Sequence, residues 1–127
     1  MTTPQLTVLN LYRLKASAKA FTDAITALAG RVEREGEQGV LSYRFWVNEA
    51  DGTARAVIDY ATSQAWIGHH DIAMGWPEMQ ALHTVAGLEE VTFLGSLTPE
   101  IRTWLVGSSL TAKVRDGFAP AAGFRRT

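Results

Sequence analysis

Apolar positions recur along the chain with two different periods, and the change of period divides the first third into two elements. Residues Thr7–Leu14 alternate between two faces, which predicts a first strand. Apolar residues at spacings of four, three and four then predict a helix that Ser17 caps and that runs to about Glu35. The buried stripe of this helix would consist of Phe21, Ile25, Leu28 and Val32. The chain is therefore expected to open as a strand followed by an amphipathic helix.

The two-residue period returns in the middle of the chain. Val40–Val47 and Arg55–Tyr60 carry β-branched and aromatic residues at alternating positions, as strands do. Asp51-Gly52 lies between them and is typical of a tight turn. These segments predict a β-hairpin.

An amphipathic segment follows the hairpin, and a proline divides it into two helical pieces. Thr62 or Ser63 offers a hydroxyl that would cap the first piece, and Pro77 suits the first turn of the second. After Gly87, the segment Leu88–Leu94 alternates again and predicts a fourth strand. Each half of the first 95 residues thus contains two strands and helical sequence.

The C-terminal part has weaker signals. The Thr-Pro-Glu sequence at residues 98–100 combines a capping hydroxyl, a proline and an acid, which predicts a short helix to Gly107 that carries Trp104. Leu110–Val114 is a candidate for a short extra strand, and Asp116–Thr127 has the composition of a loose tail.

This order of elements predicts an α+β fold of the ferredoxin-like class, the split βαβ (βαββαβ) arrangement. Two helices would pack on one face of a four-stranded antiparallel sheet. Both faces of the strands carry apolar residues, so we expect a second copy to cover the open face in a homodimer. Residues 1–97 form the predicted domain. Residues 98–127 would add a C-terminal helix and tail to the same unit or to the dimer contact, and Trp104 would serve that contact or pack on its own subunit.

The composition argues against several classes of binding partner. The chain has 127 residues, a length that fits one domain, and its formal net charge of −1 gives no basic patch for nucleic acid or an anionic membrane. It contains no cysteine, which excludes disulfides and thiolate chemistry. The N-terminal sequence lacks the features of a secretory signal, and no segment has the length of a membrane span. We therefore expect a cytoplasmic protein with no nucleic-acid or membrane partner.

The candidate chemistry centres on the first helical piece after the hairpin. At about 100° per residue, one line of this helix carries apolar residues and one histidine. The line consists of Ala65, His69, Ile72 and Trp76, with Trp66 and Ala73 beside it. His69 therefore lies inside the apolar arc and His70 at its edge. Such a histidine is either a core residue with a satisfied hydrogen bond or a base or donor that lines a cavity.

Several segments in this order resemble the antibiotic biosynthesis monooxygenase family. The resemblance covers about Leu6–Leu97. It rests on GVLSY at residues 39–43, the strand that ends in Asp59-Tyr60, the Ser-x-Ala-x-x-x-His spacing at residues 63–69, the amphipathic sequence to Leu82 and the closing strand to Gly95. It implies a dimeric α/β barrel of ferredoxin-like subunits. It also places His69 where many members carry a helix histidine.

The resemblance implies a monooxygenase that uses no metal, flavin or other cofactor, with a small polycyclic aromatic, anthrone or quinol and dioxygen as substrates. Such a reaction needs a dry aromatic pocket, a base and a donor for an oxyanion. His69 would be the base or donor, and Asn10 or Tyr60 would donate a hydrogen bond from the sheet. The substrate-binding candidates are Trp66, Trp76, His83, Met79 and Tyr43.

Two other functions are compatible with the same sequence. A non-catalytic ligand-binding or structural dimer of the same fold would have a filled core around His69, whereas an enzyme would have a cavity there. Haem degradation is a further alternative, for which Asn10 and His83 are a loose match, and a Soret shift on addition of haem would test it. Metal-binding, serine-nucleophile and phosphate-loop motifs are missing from the sequence, and no RNA-binding strand motif of the basic-aromatic type occurs.

Overall fold

The computed structural model describes residues 3–126, which form five strands and four helices. The first half contains a strand, a long helix and a hairpin: β1 (Leu6–Leu14), α1 (Ala18–Glu35), β2 (Val40–Asn48) and β3 (Thr53–Tyr60). The second half contains two helices, a strand, a third helix and a last strand: α2 (Ser63–Ala73), α3 (Pro77–Val85), β4 (Ala86–Leu94), α4 (Pro99–Gly107) and β5 (Lys113–Phe118). Along these residues, no helix combines the length and the hydrophobicity needed to cross a membrane.

The strands form one sheet in the order β2-β3-β1-β4-β5. β1 lies in the centre and pairs antiparallel with both β3 and β4, and β2 pairs antiparallel with β3, as in the predicted split βαβ arrangement. The predicted four-stranded antiparallel sheet is incomplete, because β5 pairs parallel with β4 and makes the sheet five-stranded and mixed. The predicted loose tail is also wrong at its start, because residues 116–118 belong to β5.

The first helix forms where the sequence predicts it. The hydroxyl of Ser17 accepts a hydrogen bond from the Ala20 amide at 3.0 Å and caps α1, and the four residues of the predicted stripe are all buried. Phe21 packs against Tyr12 of β1 and Phe45 of β2, with ring centroids 6.1 and 6.5 Å apart. These contacts fix α1 on the face of the sheet that carries the core.

The second helix packs on the same core, but not every residue of its predicted apolar face is buried. Thr62 caps α2 through a bond from the Ala65 amide at 3.1 Å, and Ala65 and Ala73 are buried. Ile72 is 41% exposed, so its predicted place in the apolar arc is wrong. The helix approaches β2 closely at Gly39, where an added Cβ would overlap the Cβ of Ala65. Glycine at this position therefore sets the distance between α2 and the sheet.

The opposite face of the sheet carries apolar residues that are only partly buried in this chain. Leu9 pairs with Val57 across β1 and β3, and Leu11 follows on the same face. All three side chains are half-buried, and Trp46 on the neighbouring strand is 53% exposed. This face is the one that the sequence assigns to contact with a second copy.

Candidate active site

A cavity of about 310 Å³ lies between the core face of the sheet and the helices. Strands β1, β2, β3 and β4 contribute its floor, and α2 and α3 contribute one side. The other side comes from α4 and the segment 108–111 that follows it. This volume is within the range of cavities that bind small molecules.

The cavity brings together seven of the eight residues that the sequence selects. From the sheet come Asn10, Tyr43 and Tyr60, and from the helices come Trp66, His69, Met79 and His83. They derive from five separate elements, so their assembly depends on the fold and not on proximity in the chain.

Trp76 is the exception and does not line the cavity. It precedes Pro77, whose ring begins a new helix, so Trp76 takes an extended N-cap conformation and leaves the face of α2. Its ring instead lies under the guanidinium of Arg31, 4.2 Å from the ring centroid. The proposed wall role of Trp76 is therefore corrected to a contact between α1 and the start of α3.

His69 is 2% exposed, and its ring lies against aromatic residues of the sheet. The centroid of its ring is 5.4 Å from that of Tyr43 and 6.1 Å from that of Tyr60. Its Nδ1 atom is buried and has no hydrogen-bond partner in the protein. Burial, and to a lesser extent the neighbouring His70, lower the pKa of His69 to about 3. The ring is therefore neutral at pH 7.

His70 also lines the cavity, although the sequence places it at the edge of the apolar arc. Its Nδ1 lies 2.7 Å from the Trp66 carbonyl oxygen, which can only accept, so Nδ1 carries the hydrogen and donates it. Nε2 then has a free lone pair. Burial lowers the pKa of His70 to about 4, which the carbonyl bond only partly opposes. His70 is thus a second neutral imidazole with a fixed tautomer.

Asn10 and two tyrosines supply hydroxyl and amide groups on the floor of the cavity. The Nδ2 atom of Asn10 donates to the hydroxyl of Tyr12 at 3.2 Å, while its Oδ1 atom is buried without a partner in the protein. Burial raises the pKa of Tyr12 to about 12 and raises that of Tyr60 further. Both hydroxyls therefore keep their protons at neutral pH.

The C-terminal segment forms one wall of the cavity, which the sequence does not predict. The indole of Trp104 on α4 meets Trp66 and His70 edge-on, with centroids 5.1 and 5.2 Å away. Its Nε1 donates to an oxygen of Asp71 at 2.9 Å, which holds α4 against α2. Of the two places predicted for Trp104, the structure shows packing within its own subunit.

The far end of the cavity carries His83 and Lys15. The ammonium group of Lys15 donates to the His83 carbonyl oxygen at 3.1 Å. Burial and the nearby Lys15 charge lower the pKa of His83 below its ordinary value. Within residues 3–126, no group of three or more histidines and acids could hold a metal ion.

Three solved structures with this fold place the chain among known proteins. MupZ from Pseudomonas fluorescens is 16% identical, and the alignment covers 98% of this chain and 96% of that one with a TM-score of 0.67. A variant of SnoaB, a cofactor-independent oxygenase from Streptomyces nogalater, is 13% identical with a TM-score of 0.62, over 76% and 96% of the two chains. An antibiotic biosynthesis monooxygenase is 14% identical with a TM-score of 0.54, over 73% and 99%.

The fold is therefore that of the antibiotic biosynthesis monooxygenases, as the sequence predicts. No protein-family model matches the sequence, and no curated protein sequence matches it. Identities of 13–16% in these structures establish a common fold and leave the activity to be argued from the site.

Proposed function

We propose that this protein is a cofactor-independent monooxygenase that oxygenates a polycyclic aromatic, anthrone or quinol-type small molecule. One observation carries the proposal. Asn10 Oδ1 and His69 Nδ1 are buried in the wall of an aromatic cavity with no partner in the protein. A buried polar group left unpaired costs about 1–3 kcal/mol, so these atoms suit pairing with the polar groups of a bound molecule.

The residues around the cavity match the needs of this reaction. Trp66, Trp104 and Tyr43 offer flat apolar surface on which an aromatic ring can lie. The neutral state of His69 is the one from which a base must start, and a substrate C–H or O–H near it would lose its proton to the ring. The imidazolium would then lie beside the substrate anion, whose opposite charge offsets the cost of burial.

The remaining polar groups would hold the substrate as charge develops. Tyr60 keeps its proton, so its hydroxyl would donate to an oxyanion. Asn10 would accept a bond from a substrate hydroxyl through Oδ1, an acceptor role in place of the donor role that the sequence assigned to it. His70 would accept through Nε2, since its Nδ1 is held by the helix.

In the proposed reaction the substrate supplies every electron. The anion formed by deprotonation of an anthrone CH₂ gives one electron to dioxygen, and the two radicals combine to form a C–O bond. The resulting peroxide takes up a proton, and its O–O bond breaks as the carbon loses its second hydrogen. One oxygen atom leaves as water and the other remains as the quinone carbonyl, so CH₂ and O₂ give C=O and H₂O.

The proposal predicts oxygen incorporation without any added cofactor. Protein in excess EDTA, given an anthrone or a quinol under ¹⁸O₂, should consume one dioxygen per product and place one ¹⁸O atom in each product. Mass spectrometry of the product and an oxygen electrode measure the two quantities. Uptake no faster than in buffer alone, across both substrate types, would support the non-catalytic ligand-binding or structural alternative instead.

We also propose that two copies associate through the open face of the sheet, to form the dimeric α/β barrel. The partly buried Leu9, Leu11 and Val57 on that face, beside the exposed Trp46, are apolar surface that a partner sheet would cover. Light scattering should then give twice the mass of one chain, and a monomer mass at micromolar concentration would reject the dimer.

A further inference from the structure

The rim of the cavity carries one charged side chain. Lys15 follows β1, its backbone amide donates to the Val85 carbonyl oxygen at 2.8 Å, and its Nζ donates to the His83 carbonyl oxygen at 3.1 Å. Lys15 is exposed and also lines the cavity, so it lies where the cavity meets solvent.

The path of the Lys15 side chain depends on a glycine. A Cβ added to Gly87 of β4 would lie 3.3 Å from Cε of Lys15, which is closer than such atoms ordinarily approach. The missing side chain at Gly87 therefore leaves room for the lysine stem. The hydrogen bond to the His83 carbonyl oxygen places the ammonium group at the rim.

The charge of Lys15 has no counter-charge in the cavity. No aspartate or glutamate lines the cavity, and none of the ion pairs found within residues 3–126 includes Lys15. The other titratable side chains of the lining are histidines and tyrosines, whose burial favours their neutral forms. The cavity thus has one positive charge at its rim above neutral, aromatic walls.

We propose that the ligand of this cavity is an aromatic carboxylic acid, whose carboxylate pairs with Lys15 while its ring system lies against the inner walls. A carboxylate is a strong partner for an ammonium group because both bonding groups are charged. The inference rests on the proposed function only for the aromatic part of the ligand. The charge requirement comes from Lys15 alone.

Binding of an unreactive ligand pair tests this inference without turnover. Anthraquinone-2-carboxylate and anthraquinone-2-carboxamide are already quinones and differ in one charge. Quenching of tryptophan fluorescence reports their binding, because Trp66 and Trp104 line the cavity. We expect the carboxylate to bind about threefold more tightly, as one charge-assisted bond to an exposed ammonium group provides. Added NaCl should weaken the binding of the carboxylate and leave the amide unchanged.

Three variants test whether Lys15 causes the preference for the carboxylate over the carboxamide. Lys15→Met keeps the stem and removes the charge, and should make the two affinities equal. Lys15→Arg should keep the preference for the carboxylate. Lys19→Met is the matched control, since Lys19 is an exposed lysine that pairs with Asp23 on α1 outside the cavity, and it should change neither affinity.

Each other result overturns the inference. Equal affinities in the unsubstituted protein, or an equal loss for both ligands in Lys15→Met, would remove the carboxylate from the substrate class. If oxygenation of an uncharged anthrone persisted in that case, the proposed function would stand alone. If neither quinone bound, both the aromatic substrate class and the acid requirement would fall.

Discussion

Replacement of His69 by phenylalanine is expected to lower the rate of oxygen uptake by about 10²–10⁴-fold, the usual contribution of a positioned base, while the protein stays folded. Phenylalanine keeps a ring of similar size against Tyr43, where the present ring centroids are 5.4 Å apart. It removes both nitrogens, and with them the unpaired Nδ1 that we assign to the substrate. Oxygen-electrode rates with an anthrone, together with circular dichroism spectra, measure the effect.

His83→Phe provides the matched control for this substitution. His83 also lines the cavity but lies at its far end beside Lys15, so its loss should change the turnover rate by less than tenfold. His70→Phe then separates the two neighbouring imidazoles. If His69→Phe keeps full activity while His70→Phe loses it, the role of base belongs to His70.

The unfolding free energy is expected to fall by about 4 kcal/mol between pH 7 and pH 5, at about 2 kcal/mol for each of two histidines. Burial lowers the pKa of His69 to about 3 and that of His70 to about 4, whereas both have the ordinary value of 6.5 in the unfolded chain. Below pH 6.5 the unfolded state binds protons that the folded state does not. Acid therefore favours unfolding, and the loss continues until pH reaches the folded-state pKa values.

Urea unfolding at pH 7, 6 and 5 measures this slope. The range stops at pH 5 because the acids, such as Glu78 in its ion pair with Arg31, begin to titrate below it. His69→Phe and His70→Phe should each remove about half of the slope, and the double variant should remove most of it. His83, whose pKa is also lowered, contributes a smaller part in the same direction. A stability that is independent of pH in this range would contradict the neutral state of the two histidines.

Much of the fold could be predicted because its elements have strong periodic signals. Ser17 and Thr62 cap helices as expected, and the turn at Gly52, with φ of +68°, uses the conformation that glycine takes readily. A short extra strand was predicted at Leu110–Val114, and β5 forms instead at Lys113–Phe118, because its residues 115–118 (RDGF) have no alternation of apolar and polar residues. Its place at the edge of the sheet depends on backbone hydrogen bonds with β4.

Seven of the eight residues that the sequence selects line the cavity, but the surroundings of the helix that carries His69 could not be predicted from that helix alone. His69 lies on that face, but a wheel of a single helix cannot show that α4 covers its other side, so His70 was left at the edge. The prediction that Trp76 lines the cavity was wrong because it continued the helix of Ala65 and His69 through the break before Pro77. A contact distant in sequence decides the case of His70, and the local break before Pro77 decides that of Trp76.

The hydrogen bond from Trp104 to Asp71 holds α4 against α2 and so changes which side chains of α2 are enclosed. A helix that packs on a sheet with one face directs every third or fourth side chain to the interior, and the side chains between them are exposed to water. Because α2 lies between the sheet and α4, two consecutive side chains, His69 and His70, line the same cavity. With α4 in place, the cavity presents two adjacent neutral imidazoles, His69 and His70, to a single ligand.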